Sequence, residues 1–152
     1  LVIKNIHKYS GSQVRLDKKN LYISTIGCQM NVHDSEQMAA LMEKEGYVCT
    51  DDVGQADLIL LNTCSIREKA AQKVMSTLGR YRRLKTKKAS LIIGVGGCVA
   101  QQLGERLLLK VPDLDLVFGT HNIHRLPVFI SEIEKTGKKI VETSLSEKTP
   151  SL

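Results

Sequence analysis

Apolar residues in this chain gather into short, nearly unbroken runs instead of alternating with polar ones. LYISTI at 21–26, DLILLN at 57–62, SLIIGV at 90–95 and DLVF at 115–118 are rich in Leu, Ile and Val and stop at glycine or small polar residues. That is the pattern of strands buried on both faces of a parallel sheet. A weaker run, YVCT at 47–50, stands between the first two. Between the runs the apolar period becomes helical. Asp34 and Gln37 stand at capping-box spacing before Met38, Leu41 and Met42, and Gly46 closes the segment. Ser65 and Glu68 repeat the box ahead of an apolar stripe made by Ile66, Ala70, Val74, Leu78 and Tyr81. Val99, Leu103 and Leu107 predict a third helix that runs until Pro112, and a fourth is predicted over 126–135, ending at Gly137.

Strand and helix alternating in units of about 35 residues imply right-handed crossovers and a parallel sheet. The expected fold is a flavodoxin-like, doubly wound α/β arrangement of three αβα layers with strand order 2-1-3-4-5. Residues 1–20 hold Lys4, Lys8, Arg15, Lys18 and Lys19 without clear periodicity and are expected to form a basic flexible arm. Residues 21–137 make the folded unit, and 138–152 read as the start of a linker.

With 152 residues and 42% hydrophobic content the chain is long enough for one core of its own. It begins with Leu1 in place of Met, which suggests a piece of a longer chain. No apolar run reaches the length of a membrane span and the first residues are polar and basic, so the expected location is the cytoplasm, with no membrane partner. Four cysteines are too few for a disulfide scaffold of this size. In a reducing compartment they are free, metal-binding or catalytic. The net charge of +6 is compatible with a nucleic-acid partner without requiring one.

Three of the cysteines recur at one structural position. Cys28, Cys64 and Cys98 each follow a predicted strand and precede a predicted helix. In an open parallel sheet all such positions lie along the carboxyl edge, where these folds bind ligands. The order 2-1-3-4-5 makes the three strands neighbours, and each following helix favours thiolate over thiol. Cys49 falls inside the short outer strand and is expected to point away. Gly27 and the pair Gly96-Gly97 let backbone approach a ligand closely. Strands about 4.8 Å apart spread three cysteines over roughly 10 Å. A single zinc with bonds of about 2.3 Å needs a tighter gathering than that, whereas a cubane iron-sulfur cluster spans more room. The cluster is favoured, with zinc and a fourth ligand from His33 or His121 as the alternative. Gln29, Asn31 and Asn62 flank the cysteines and, with Gly97, are candidates for contacts around the bound group. GVGG at Gly94–Gly97 lacks the rest of a phosphate-binding fingerprint. RYRRLKTKK, Arg80 to Lys88, is the densest positive patch in the chain. It ends a helix running back from the cysteine edge and so is expected at the opposite edge of the sheet, which favours dipole compensation over contact with RNA phosphates.

GCQMN at Gly27–Asn31, NTCSIREKA at Asn62–Ala70 and GGCVAQ at Gly96–Gln101 resemble the three cysteine motifs of the methylthiotransferase amino-terminal domain, within the radical S-adenosylmethionine enzymes. HRLP at His124–Pro127 is similar to the branch that adds a methylthio group to isopentenylated adenosine beside the tRNA anticodon. The resemblance covers roughly residues 20–137. It implies an auxiliary 4Fe-4S cluster held by Cys28, Cys64 and Cys98, with an iron left open for the sulfur to be transferred. It further implies a radical domain with a second 4Fe-4S cluster and S-adenosylmethionine, a small RNA-binding domain, and tRNA as partner. The closely spaced cysteine triplet of that radical domain does not occur in this chain, so it is not expected to turn over alone. A non-catalytic zinc module that binds RNA or protein is the rival reading.

Overall fold

The computed structural model describes the backbone of residues 2–5, 19–27, 29–63 and 68–144, and side chains over most of these. In chain order the elements are β1 (Val2–Asn5), β2 (Lys19–Gly27), α1 (Gln29–Glu43), β3 (Tyr47–Cys49), β4 (Leu58–Thr63), α2 (Glu68–Lys87), β5 (Ile92–Gly97), α3 (Cys98–Leu103), α4 (Glu105–Lys110), β6 (Leu116–Phe118), α5 (Leu126–Thr136) and β7 (Ile140–Glu142). Short 3-10 turns at Val53–Gln55 and Thr120–Arg125 precede β4 and α5.

The parallel strands lie in the order β3-β2-β4-β5-β6-β7. Its first five members are the five expected strands in the expected order 2-1-3-4-5, covered by helices on both faces. The sheet reaches beyond the expected unit at each end. Ile140–Glu142, within the stretch read as linker, adds a sixth parallel strand beside β6. Val2–Asn5, within the stretch read as a flexible arm, pairs antiparallel with Ser24–Gly27. β2 is long enough to serve two neighbours on one side, because β3 uses only Lys19–Leu21.

Each central strand divides its side chains between two cores. Leu58 and Leu60 of β4 pack with Met38 and Met42 of α1 and with Phe129, Ile130 and Ile133 of α5. Ile59 and Leu61 pack on the other face with Val74, Leu78 and Tyr81 of α2, Val99 of α3 and Leu107 of α4. All six residues of β4 are buried, as the unbroken apolar run requires. Fully burying each such Leu or Ile contributes about 1.5–3 kcal/mol. Among the described residues no helix is long and apolar enough to cross a membrane.

One helix start and one helix interior differ from the expected pattern. α1 begins at Gln29, so Asp34 lies inside the helix and does not cap it. Ser35, on the first turns of α1, is fully buried against β2 and β4. The Ser65 box falls outside the described residues. The helix expected from Val99 to Pro112 is broken at Gly104 (φ 51°, ψ −128°) into α3 and α4. A backbone turn of that kind suits glycine alone.

At the amino edge, carboxylates tie down strand starts. Asp57 accepts from the Asn20 N–H at 2.7 Å and pairs with Lys88, and Asp115 accepts from the Ile93 N–H at 3.0 Å and pairs with Lys85. Burial alone would raise the Asp57 pKa. Lys88, the Asn20 N–H and Lys19 outweigh it and hold the carboxyl below its ordinary value.

Candidate metal centre

The three strands that precede the recurrent cysteines end in one row. Ile26 of β2 is opposite Thr63 of β4, and Thr63 is opposite Gly97 of β5. Cys64 and Cys98 are the next residues after that row on their strands, and Cys28 follows Gly27 one position later. Cys98 is free, half-buried and the first residue of α3. Cys28 and Cys64 lie outside the described residues, as do the side chains of Gln29 and Asn31. Among the described residues no group of three or more His, Cys, Asp or Glu is placed to hold a metal ion, and of the three cysteines only Cys98 is among them.

What the backbone shows is how tightly β4 and β5 are joined just before their cysteines. Gly97 has φ 95° and ψ −161°, a region open essentially to glycine alone. A Cβ there would stand 2.0 Å from the Thr63 carbonyl oxygen. The Thr63 hydroxyl donates to the Gly96 carbonyl at 2.7 Å and accepts from the Val99 N–H at 3.2 Å, joining β4 to both β5 and the first turn of α3. Gly97 is therefore required for the close approach of β5 to the backbone of β4 at Thr63.

A second polar link lies on the opposite face of the sheet. Ser35 Oγ shares a hydrogen bond with Thr25 Oγ1 at 2.8 Å and accepts from Asn62 Nδ2 at 2.7 Å, all three residues being buried. This fastens β2, α1 and β4 together beneath their carboxyl ends. Asn62 is thus a buried strand residue that joins neighbours, not a turn residue. Thr25, Ser35 and Thr63 carry no chemistry of their own and escaped the sequence reading. Their role comes from contacts across strands and carries no local sequence signal. Nearby Asp34 has its pKa raised by burial, with His33 partly opposing.

The donor chemistry fits a thiolate-bound group. Soft cysteine sulfurs follow three strand ends that are tied into one row, with a glycine where the backbones come closest. Cys49 sits apart on β3, opposite Leu21. Five residues at about 3.3 Å each separate that level from the row at Ile26, roughly 16 Å along the strand. His33 and His121 are exposed. Gly94 and Gly96 are strand residues whose missing side chains make room for Leu60, Leu116 and the Phe118 ring, a packing role.

The basic run Arg80–Lys88 is divided by the fold. Arg82 pairs with Asp113, Lys85 with Asp115 and Lys88 with Asp57. A cleft of about 500 Å³ at this amino edge is lined by Lys19, Asp57, Lys85, Asp113, Asp115 and Lys139 among others.

Comparison with known proteins adds a family match over residues 20–119, to the group described as uncharacterized protein family UPF0004. A Syntrophus aciditrophicus protein called tRNA-2-methylthio-N(6)-dimethylallyladenosine synthase is 70% identical over 151 residues, covering 99% of this chain and 33% of that protein. Proteins of the same name from Geobacter sulfurreducens and Shewanella sediminis are 58% identical over 119 residues and 51% over 130. These cover 78% and 85% of this chain and 27% of each relative. The chain spans about a third or less of the length of these curated relatives.

Proposed function

Because the chain belongs to the UPF0004 family and its relatives are named as tRNA methylthio-modifying synthases, we propose that it is the part of a tRNA methylthiotransferase that holds an auxiliary 4Fe-4S cluster. Cys28, Cys64 and Cys98 are the ligands. The observation that carries this reading is the shared row of strand ends at Ile26, Thr63 and Gly97, after which all three cysteines follow in sequence. When bound, such a cluster with three protein ligands offers an open iron for the sulfur to be transferred.

The chain's own residues position and exclude. Thr63 and Gly97 set the spacing between the backbones that lead to Cys64 and Cys98. Ser35 of α1 bridges Thr25 of β2 and Asn62 of β4, holding the two strands together beneath their carboxyl ends. Leu61, Val95 and Val99 are buried behind the row. Gln29 and Asn31 supply polar groups flanking Cys28. The folded unit expected over 21–137 includes β7 in this reading. The radical chemistry, with S-adenosylmethionine and a second cluster, and a separate RNA-binding domain belong to the length of the relatives that this chain does not cover. The substrate is the adenosine of a cytoplasmic tRNA.

Anaerobic reconstitution followed by iron, acid-labile sulfide and zinc analysis tests this. The proposal expects iron and sulfide in equal amounts. Zinc without sulfide, with folding lost on chelation, would establish the structural-module reading in its place.

A further inference from the structure

The two helical layers carry opposite charge. α1 and α5 hold five acidic side chains against one lysine, whereas α2, α3 and α4 hold nine Lys and Arg against two glutamates. Within the basic layer, ion pairing accounts for Arg82 and Lys85, and beyond the helix for Lys88. Left over among the described side chains of α2 are Lys73, Arg80, Arg83 and Lys87, all exposed. Among the described residues none of the four is in a salt bridge, and Arg80 donates only to the Thr77 hydroxyl at 3.5 Å. At about 100° per residue these four fall within an arc of about 80°, turned away from buried Val74, Leu78 and Tyr81. They extend over about 21 Å of helix.

Neither ordinary explanation covers this stripe. Dipole compensation acts only within the last turn, and Lys73 and Arg80 lie well before it. Arg80 and Arg83 at i,i+3, and Arg83 and Lys87 at i,i+4, are like-charge neighbours that destabilise a bare helix. A polyanion lying along α2 would remove that repulsion, and a duplex strand with a phosphate every ~3.4 Å offers about six over the same length. α2 starts at the carboxyl edge, just past Cys64, and returns to the amino edge as a crossover helix must. We propose that the outer face of α2 is a phosphate-contact track for the tRNA, reading no sequence, which lays the RNA against the basic layer with one end at the cysteine edge. This rests on the reading of the chain as part of a tRNA-modifying enzyme.

The test is binding of a tRNA transcript to the purified protein across a salt series. Lys73→Gln/Arg83→Gln/Lys87→Gln is compared with the exposed, charge-matched control Lys44→Gln/Lys135→Gln/Lys138→Gln. Loss of three phosphate contacts should lower the slope of log K against log salt by about 2–3, while the control keeps the wild-type slope. Equal losses in both triples would reduce the effect to net charge and overturn the proposal. An unchanged slope in the stripe triple would overturn it as well, including the case where the stripe meets an acidic protein surface instead. Iron and sulfide content measured on the same preparations keeps the two readings apart. Normal loading with an unmoved slope sinks only the track, and failed loading with a stripe-dependent slope sinks only the cluster.

Discussion

Replacing Gly97 with alanine tests the geometry on which the metal centre depends. Its φ of 95° and ψ of −161° belong to a region that costs a non-glycine residue about 1–3 kcal/mol. The added Cβ would lie 2.0 Å from the Thr63 carbonyl oxygen, where real contacts essentially never fall below 3.0 Å. Because the obstacle is backbone, no rotamer change relieves it. β4 and β5 must separate at their ends, an overpacking penalty of about 1–3 kcal/mol. Reduced freedom of the unfolded chain returns about 0.4–1 kcal/mol. The net loss is about 3 kcal/mol, a large share of a typical stability of about 5–15 kcal/mol. Gly46 is the control, since its φ is 94° but a Cβ there meets nothing within 4 Å. Gly46→Ala should cost about 1–2 kcal/mol from strain alone. Urea unfolding of both variants reads the difference, and iron content after reconstitution should fall in Gly97→Ala only. If Gly97→Ala is no less stable than Gly46→Ala, the close approach of the strand ends does not carry the energy assigned to it.

Ser35→Ala removes the hydroxyl shared by Thr25 and Asn62 and should cost about 1–3 kcal/mol in urea unfolding. A loss below about 0.5 kcal/mol would show that these strands are held otherwise. Tyr81 gives a signature in alkali. Burial above all, with neighbouring Tyr22, outweighs the Ser24 hydrogen bond and Arg80, and pushes its pKa from 10.0 up to about 12. A pKa raised on folding means that this contribution is complete below pH 10 and is lost as pH rises through about 12. Tyr81→Phe should therefore flatten the alkaline fall in stability, and an unchanged fall would contradict the assignment.

The parallel core was legible because β4 and its neighbours are buried on both faces, which leaves unbroken Leu, Ile and Val runs and little else to interpret. The strand order follows from taking five parallel strands as flavodoxin-like among the doubly wound arrangements. β7 was hidden because IVE is three residues long and only half-buried, held in place by its pairing with β6. β1 likewise exists through its partner, since nothing in VIKN separates it from the basic residues that follow. The break at Gly104 interrupts a run of helix-forming residues whose apolar spacing continues across it. At the candidate site the cysteines were visible by recurrence, but Thr63, Ser35 and Thr25 matter through contacts across strands that no local pattern encodes. The division of Arg80–Lys88 likewise needed Asp57, Asp113 and Asp115, which come from other parts of the chain.

Single alanine replacements of Cys28, Cys64, Cys98 and Cys49, each reconstituted anaerobically and assayed for iron and acid-labile sulfide, address the shared thiolate site most directly. The account predicts that the first three lose the bound iron and sulfide while Cys49→Ala, on the outer strand β3, retains them at the wild-type level. Retention by any of the first three, or loss in Cys49→Ala, would contradict it.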